Sequence, residues 1–374
     1  MKIKGQGNTF IKEFKILLPK TQLQRLKFIE LMIRSLVECL ELNYVKMSCK
    51  MKTKANTSSN YRRIQRFVAS FSIGQGILAK WIVGKISPKE DSRLTLAMDR
   101  TNWKFGKSNI NYLVLSVCYK RMAIPLFWKL LDKRGNSSSE ERIDLIEQFI
   151  KVFGSDRIDY ILGDREFIGK EWQDWLIKME IPFYLRIRND ANVTIKGKEI
   201  KASKLFRKLN VGEHLHKNNL VIVYGTEVYI SGKKITGKNG DLDYVIIISY
   251  YAPRKCFEKY KMRWEIEHMF KALKSSGFNM ESTHVTKLDR LETLMEIITI
   301  AFFWAYLTGE YLIKSAKTII KIKKHGRPEK SIFKLGLECL NRVISTNFKK
   351  YFVIHFMFCH VLRSTVFMKT STDY

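Results

Sequence analysis

Apolar residues in the first quarter of the chain recur every three to four positions, which is the spacing of one buried face of an α-helix. Residues 21–45 carry the longest such stripe, formed by Leu23, Leu26, Ile29, Ile33, Leu36, Val37 and Leu40. The polar segment KTKANTSSN then separates this helix from a second one, which either Ser58 or Ser59 would cap. Two helices joined by a polar turn are therefore predicted near the N-terminal end.

The second helix divides its residues between two faces. An inward face is formed by Tyr61, Ile64, Val68 and Phe71, which leaves three residues to point outward, Arg62, Arg63 and Arg66. A short helix with outward arginines after a capped turn is what a helix-turn-helix DNA reader requires. A basic surface helix explains the same pattern about equally well, so both interpretations stay open at this point.

Beyond Pro88 and the charged run KEDSR, the pattern changes from helical spacing to strands. The first strand, 94–98, is followed directly by Asp99. The next predicted elements are strands at 111–119 and 123–131, a helix at 140–153, a strand at 158–162, a helix near 168–179 and a strand at 183–187. Three hairpin-connected strands followed by alternating helix and strand predict an α/β sheet of mixed direction.

Residues 190–250 contain short alternating strands punctuated by Gly, Asn and Asp, which is typical of a β-rich insertion. Helical spacing returns near Pro253, and a long apolar helix is predicted at 288–313. The predicted domains are a helical DNA-binding region at 1–88, an α/β core at 89–189 and 251–313, the β-rich insertion at 190–250 and a basic C-terminal region at 314–374.

The net charge of the chain indicates a class of binding partner. The chain of 374 residues holds 67 Lys+Arg against 36 Asp+Glu, a net charge of +31. Residues 1–88 carry +13 (17 − 4) and residues 314–374 carry +10 (13 − 3), which leaves +8 for the middle. Polyphosphate is the natural counterpart of so basic a chain, because each neutralised phosphate releases condensed counterions. The two ends are therefore predicted to grip nucleic acid.

The amino-acid composition argues against several classes of protein. Hydrophobic residues at 45% and aromatic residues at 12% argue against a disordered tail. The apolar run from Leu294 to Leu307 is too short to span a bilayer and contains Glu296, so a buried helix is predicted there. The six cysteines are scattered without a CxxC pair, which argues against zinc and predicts free thiols in a reducing cytoplasm.

Two aspartates follow predicted strands, Asp99 after LTLAM and Asp164 after YILG. If the first and fourth strands are neighbours, the two carboxylates lie side by side and repel each other unless a cation or a proton intervenes. Mg²⁺ prefers few carboxylates and takes its remaining ligands from water and phosphate. Two such ions would clamp the attacking and leaving oxygens of a phosphoryl transfer, with Glu267 as the third carboxylate.

Glu267 belongs to a polar stripe within Tyr260–Lys274. Tyr260, Arg263, Glu267 and Lys274 are spaced i, i+3, i+7 and i+14, so on one continuous α-helix they share an arc of roughly 60°. A solvated charged face is the simplest explanation of that stripe. In a chain this basic, the same stripe predicts one wall of a metal and phosphate cleft.

The spacing Tyr260-x₂-Arg263-x₃-Glu267-x₆-Lys274 resembles the YREK signature of one large group of bacterial insertion-sequence transposases. LAMDRTNWKFG around Asp99 and ILGDREFIG around Asp164 look like the two catalytic-aspartate boxes of that group. SNYRRIQRF and HGRPEKSIFKLGL resemble its N-terminal and C-terminal segments, so the similarity covers roughly residues 50–340.

The resemblance implies a ribonuclease H-like core with a β insertion, and a DDE triad formed by Asp99, Asp164 and Glu267. It implies two Mg²⁺ ions, with Mn²⁺ as an alternative, and phosphate contacts from Tyr260, Arg263 and Lys274. The implied activity is cut-and-paste transposition, in which an element end is cleaved and its 3′-OH is joined to target DNA. The implied partners are double-stranded DNA and a second copy of the chain, in the cytoplasm and on the nucleoid, without a membrane or a small-molecule cofactor.

Two alternatives accompany that interpretation, a DNA-binding derivative without strand transfer and a ribonuclease H-like nuclease. Hairpin-forming relatives stack a flipped base on a tryptophan of the β insertion, but this chain has no Trp between residues 176 and 263. Tyr224, Tyr229 and Tyr244 are the aromatic candidates in that segment. The sequence leaves open which of them, if any, takes that role.

Overall fold

The structure is a computed structural model that describes residues 9–346, except 238, 252, 254, 316, 317 and 325. The described residues fall into two compact units. The helical unit contains the chain up to Pro88 and from Met269 onward, and the sheet unit contains Lys89–His268. About half of the predicted C-terminal region, including its aromatic run from Tyr351, lies outside the described residues.

The helical unit is built around one long helix. Its helices are α1 (Thr9–Leu17), α2 (Leu23–Cys39), α3 (Tyr44–Lys50), α4 (Thr57–Ser70), α5 (Gln75–Ile86), α10 (Leu288–Lys314) and α11 (Ile332–Ser345). Helix α10 packs against α2, α4, α5 and α11. It is long and apolar enough to cross a bilayer, but 94% of its most apolar stretch is buried inside the protein. The prediction of a buried helix at 288–313 is therefore confirmed.

Helices α10 and α11 approach each other closely because two glycines lie at their crossing. A Cβ on Gly309 would lie 1.9 Å from the Ile332 carbonyl oxygen, and a Cβ on Gly336 would lie 1.8 Å from that of Ala305. Glycine is thus required at both positions for steric reasons.

Buried Glu296 of α10 holds the turn between α4 and α5. Its carboxylate accepts hydrogen bonds from the Ser72 hydroxyl at 2.7 Å and from the Ile73 and Gly74 amides at 2.8 and 2.9 Å. Burial nevertheless raises the pKa of Glu296, more than these donors lower it. The charged residue inside the apolar run therefore has a structural role, since it satisfies the backbone donors that open α5.

The described residues of the sheet unit form eleven strands and four α-helices. The strands are β1 (Leu94–Phe105), β2 (Ser108–Tyr119), β3 (Met122–Leu130), β4 (Ile158–Gly163), β5 (Phe183–Ile187), β6 (Asn192–Ile195), β7 (Lys198–Lys201), β8 (His214–His216), β9 (Val221–Val223), β10 (Thr226–Thr236) and β11 (Leu242–Ser249). The helices are α6 (Ser139–Phe153), α7 (Lys170–Lys178), α8 (Cys256–Lys261) and α9 (Trp264–Leu273), whose last residues belong to the helical unit.

These strands form one mixed sheet in the order β3-β2-β1-β4-β5-β11-β10-β9-β6-β7, with β8 paired to β10. Strands β1, β2 and β3 are antiparallel neighbours, whereas β4 and β5 run parallel to β1. Strand β2 is buried from Ile110 through Cys118, so both of its faces are covered, and α6 packs against β2 and β3. The predicted mixed α/β sheet is confirmed.

Residues 190–250 supply β6 to β11, and these strands extend the same sheet. Strand β11 pairs antiparallel with β5, where Ile246 lies opposite Ile187. The short strands predicted in this segment are therefore present, while its standing as an insertion stays a prediction. The five cysteines in the described part of the chain are free thiols.

Candidate active site

Parallel pairing of β1 with β4 places Asp99 and Asp164 at the same level of the sheet. The last paired residues of these strands are Ala97 and Leu162, and each aspartate lies two residues beyond its pair. The first and fourth strands are therefore neighbours, which was the condition for the two carboxylates to lie side by side. Gly163 precedes Asp164 in a crowded position, where a Cβ would lie 2.8 Å from the Phe167 Cβ and 2.9 Å from the Leu185 side chain.

The prediction that the first strand stops at Asp99 is wrong. Strand β1 continues to Phe105, because its outer part pairs with β2 and Asp99 lies opposite Val114 there. Strand β4 stops at Gly163, so Asp99 lies where β1 has lost its parallel neighbour. The carboxylate therefore lies within a strand and still reaches the edge of the parallel part of the sheet.

Asp99 is an unusually basic carboxylate. Its pKa is raised to about 7, chiefly by burial and also by the nearby Asp164 and Glu267 charges, while the Arg100 amide and Arg263 oppose the rise. One carboxylate oxygen accepts the Arg100 amide at 2.7 Å, and the Arg263 guanidinium lies 3.5 Å from the other. The positive charge around Asp99 therefore does not compensate for its burial.

The prediction of one continuous helix through the polar stripe is also wrong. Helix α8 ends at Lys261 and α9 begins at Trp264, and the residues between them form a tight turn. The amides of Met262 and Arg263 bond to carbonyls three residues earlier, which tightens the backbone as in a 3₁₀ helix. Tyr260, Arg263 and Glu267 consequently lie on α8, in the turn and on α9, respectively.

Arg263 links two of the three predicted catalytic acids. Its side chain is only 7% exposed, and its guanidinium contacts both Asp99 and the Glu267 carboxylate. The Glu267 side chain itself is 49% exposed. Arg263 therefore supplies the cation between two carboxylates that would otherwise repel each other.

Buried donors without acceptors lie beside these acids. In the part of the chain that the structure describes, the Tyr260 hydroxyl and the Nε atoms of Arg186 and Arg263 have no hydrogen-bond partner with normal geometry. Burial raises the pKa of Tyr260 to about 12, although Arg263 and Arg186 lie close enough to oppose the rise. Three unsatisfied donors in one place form a natural site for the oxygens of an anion.

Arg186 and Trp264 were missed by sequence reasoning. Arg186 lies in the apolar strand β5, where burial lowers its pKa and the neighbouring Arg165 charge lowers it further. A lone arginine in a five-residue buried strand is the signal that could have found it. Trp264 opens α9 directly after Arg263 and is 59% exposed.

Lys274, the last residue of the stripe, follows α9 and belongs to the helical unit. There its ammonium lies 2.6 Å from Glu281. Because α8 and α9 are separate helices, Tyr260 and Lys274 do not belong to one helical stripe, and a phosphate contact for Lys274 stays a prediction.

Asp99, Asp164 and Glu267 are the candidate ligands of a Mg²⁺ ion. Among the described residues, no three His, Cys, Asp or Glu side chains are close enough together to hold an ion. Asp99 and Asp164 nevertheless offer the oxygen ligands that Mg²⁺ prefers, and two protein carboxylates with waters are a common set for this ion. The raised pKa of Asp99 also indicates a negative charge that lacks sufficient compensation. The donor set therefore fits Mg²⁺, with Glu267 engaged by Arg263.

The candidate DNA reader lies in the helical unit, where α3 is followed by the turn 51–56 and then α4. The predicted serine caps are wrong, because the Asn56 side chain caps α4 and accepts the Ser59 amide at 2.8 Å. The three arginines are exposed, as expected, although Arg63 lies 4.8 Å from the ring centre of Phe28. Arg62 and Arg66 are thus the freer candidates for DNA contacts.

The described sheet unit defines a class of protein. A five-strand core in the order β3-β2-β1-β4-β5, with aspartates where β1 and β4 separate, is compatible with a ribonuclease H-like transposase domain. Comparison with known families agrees, since the family described as "Transposase DDE domain" matches residues 91–304, more than half of the chain. The chain belongs to this transposase family. No curated protein matches it.

Proposed function

We propose that this transposase cleaves the ends of an insertion sequence and joins the freed 3′-OH to target DNA by two-metal phosphoryl transfer. The observation that carries the proposal is the register of β1 and β4, which puts Asp99 and Asp164 at one level of the sheet, with Arg263 in contact with both Asp99 and Glu267. Carboxylates for divalent ions and cationic donors for a phosphate are the two parts that this reaction requires.

Asp99, Asp164 and Glu267 would hold Mg²⁺, or Mn²⁺ in its place. The bound ions would activate water or a 3′-OH and stabilise the charge that develops on the phosphate. Glu267 is half exposed, so its side chain can turn from Arg263 towards the two aspartates without leaving a buried core position.

Arg186, Arg263 and Tyr260 would orient the scissile or flanking phosphate. Arg186 and Tyr260 lie close enough to Arg263 for the three groups to affect one another's pKa, and a phosphate oxygen would satisfy their donors through charge-assisted hydrogen bonds. We assign Lys274 the same type of contact on the basis of the YREK spacing alone. The exposed Trp264 ring is a candidate platform for an unstacked base, besides the half-buried Tyr224, Tyr229 and Tyr244.

The partners in this proposal are double-stranded DNA, as element ends and as target, and a second copy of the chain in a homodimer on DNA. The proposed location is the cytoplasm, with nucleoid association when DNA is bound. The net charge of +31 supports a polyanionic partner.

The proposal is tested with purified chain, Mg²⁺, a linear DNA that ends in the sequences flanking its own gene, and an unrelated plasmid. Joined end-to-plasmid products are the expected result. Cleavage without joining would instead identify a nuclease, and binding with neither product would identify a DNA-binding derivative. Either of the last two results overturns strand transfer.

A second measurement tests α4 as the reader of the element end. We expect Arg62→Ala with Arg66→Ala to weaken binding to the end sequence by about tenfold per arginine, because a base contact contributes about 1–3 kcal/mol. Binding to bulk DNA should weaken much less, and both affinities are measured by fluorescence anisotropy at one fixed salt concentration.

The matched control is Lys12→Ala with Lys20→Ala, which removes two exposed cations from the same unit. If the arginine variant loses as much affinity for bulk DNA as for the end sequence, α4 contacts phosphates only and does not read the sequence.

A further inference from the structure

The residues that follow the two aspartates are joined to each other. Arg100 comes directly after Asp99, and Glu166 comes two residues after Asp164. The Arg100 Nε lies 2.7 Å from a Glu166 carboxylate oxygen, and both side chains are only 14% exposed. This ion pair therefore connects the β1 segment to the β4 segment at the level where the two acids meet.

The same two residues also hold the acids through their backbone amides. The Arg100 amide donates to the Asp99 carboxylate at 2.7 Å, and the Glu166 amide donates to the Asp164 carboxylate at 2.9 Å. The backbone amide of each residue of the pair thus orients one aspartate, and its side chain binds the side chain of the other member of the pair. A shift of either segment would move the carboxylate bound to it.

The arginine end of the pair is fixed by two asparagines. The remaining Arg100 nitrogens donate to Asn111 at 2.9 Å and to Asn136 at 3.3 Å. Asn111 lies on β2, is 2% exposed and donates to the Lys133 and Gly135 carbonyls at 3.1 and 3.2 Å. The guanidinium therefore has a fixed position and little rotational freedom to lose on pairing.

The glutamate end is fixed by the loop before α6. One Glu166 oxygen accepts the Ser137 amide at 3.1 Å and the Ser137 hydroxyl at 3.2 Å, in addition to Arg100. Ser137 is held in turn by Arg142, which is 4% exposed and donates to its hydroxyl at 2.9 Å and its carbonyl at 2.6 Å. A hydrogen-bonded network of this kind differs from an exposed ion pair, which contributes little to stability.

We propose that the Arg100–Glu166 pair is a clamp that fixes the separation of Asp99 and Asp164 for divalent metal binding. Two neighbouring carboxylates repel each other, and the segments beyond Ala97 and Leu162 no longer share a ladder that would oppose this repulsion. The clamp replaces the missing ladder with a side-chain link. Arg100 and Glu166 are therefore positioning residues, and their role rests on the proposed function.

The test measures Mn²⁺ affinity of the full chain by isothermal titration calorimetry, without DNA. We expect Arg100→Gln and Glu166→Gln each to weaken Mn²⁺ binding on the order of tenfold, as is usual for partners of metal ligands. The double variant should be no weaker than either single variant, because both remove the same link. Arg100→Lys keeps the charge but loses the fork to Asn111 and Asn136, so its affinity should be intermediate.

The matched control is the pair Lys129–Asp144 of the same unit, 2.6 Å apart with side chains 36% and 42% exposed. Lys129→Gln with Asp144→Asn should leave Mn²⁺ affinity unchanged. Thermal unfolding of each variant identifies those that fail to fold. If the glutamine variants fail to fold, Arg100→Lys and Glu166→Asp carry the same comparison.

Lowered thermal stability with unchanged Mn²⁺ affinity would overturn the clamp, since it would show a structural role alone. Additive losses in the double variant would also overturn it. A wild-type chain that binds no Mn²⁺ would overturn the clamp together with the proposed function. Wild-type binding with unaffected clamp variants would overturn the clamp alone.

Discussion

Replacing Glu267 with Gln should reduce cleavage of element-end DNA by about 1,000-fold or more, because a lost metal contact removes several kcal/mol of transition-state stabilisation. Glutamine keeps the size of the side chain but removes the charge, and Glu267 is half exposed, so the fold should not change. Binding to the element end should persist, because it depends on other residues. A single-turnover cleavage assay and an anisotropy titration measure the two quantities on the same DNA.

Glu258→Gln is the matched control, since Glu258 is an exposed carboxylate on α8, nine residues earlier in the chain. It should cleave at the wild-type rate. If Glu267→Gln also cleaves at that rate, Glu267 is not a metal ligand and the assignment of the third acid is wrong.

The placement of two of the candidate acids was predictable from the sequence. The alternation of apolar residues located the β1 and β4 segments, and Asp99 and Asp164 follow them at the same distance from their last paired residues. Their meeting required only that these strands be neighbours, which the topology fulfils. Local pattern and a common strand order therefore sufficed for two of the three acids.

The polar stripe was predicted less well, because periodicity does not show where a helix breaks. Tyr260 to Lys274 has helical spacing throughout, yet the structure has a tight turn at Met262 and Arg263. In that turn Arg263 contacts Asp99, a residue 164 positions earlier in the chain. Such a contact is a tertiary interaction that the local sequence does not encode by itself.

The local sequence also does not show the tertiary contacts of three charged residues, Arg100, Glu166 and Arg186. Arg100 and Glu166 have no local signal, and Arg186 has only its place in a buried strand. Their contacts appear only when β5, β1 and the segment after β4 are assembled. The Asn56 cap shows that even a local choice can be mistaken, since asparagine and serine cap equally well and two serines stood nearby. The sequence therefore located the candidate acids better than the residues that contact them.

The metal-free chain should lose stability as the pH rises from about 4 to 7, because Asp99 titrates over that interval. Its pKa rises from 3.8 in the unfolded chain to about 7 in the folded one, chiefly through burial. A carboxyl with a raised pKa favours folding while it is protonated, so its contribution is complete below pH 4 and lost as the pH passes 7. The shift corresponds to about 4 kcal/mol at most.

Asp99→Asn removes this titration and isolates it from every other group. Urea unfolding in EDTA at pH 5 and pH 8 should show the variant gaining up to about 4 kcal/mol on the wild type at the higher pH. Asp144→Asn, an exposed replacement of the same kind, should show no such gain. Saturating Mg²⁺ should stabilise the wild type more at pH 8 than at pH 5, because the ion and the proton compete for the same carboxylate. A stability difference between wild type and Asp99→Asn that is independent of pH would show that Asp99 is ionised at little cost, and that the carboxylates need no cation beyond Arg263.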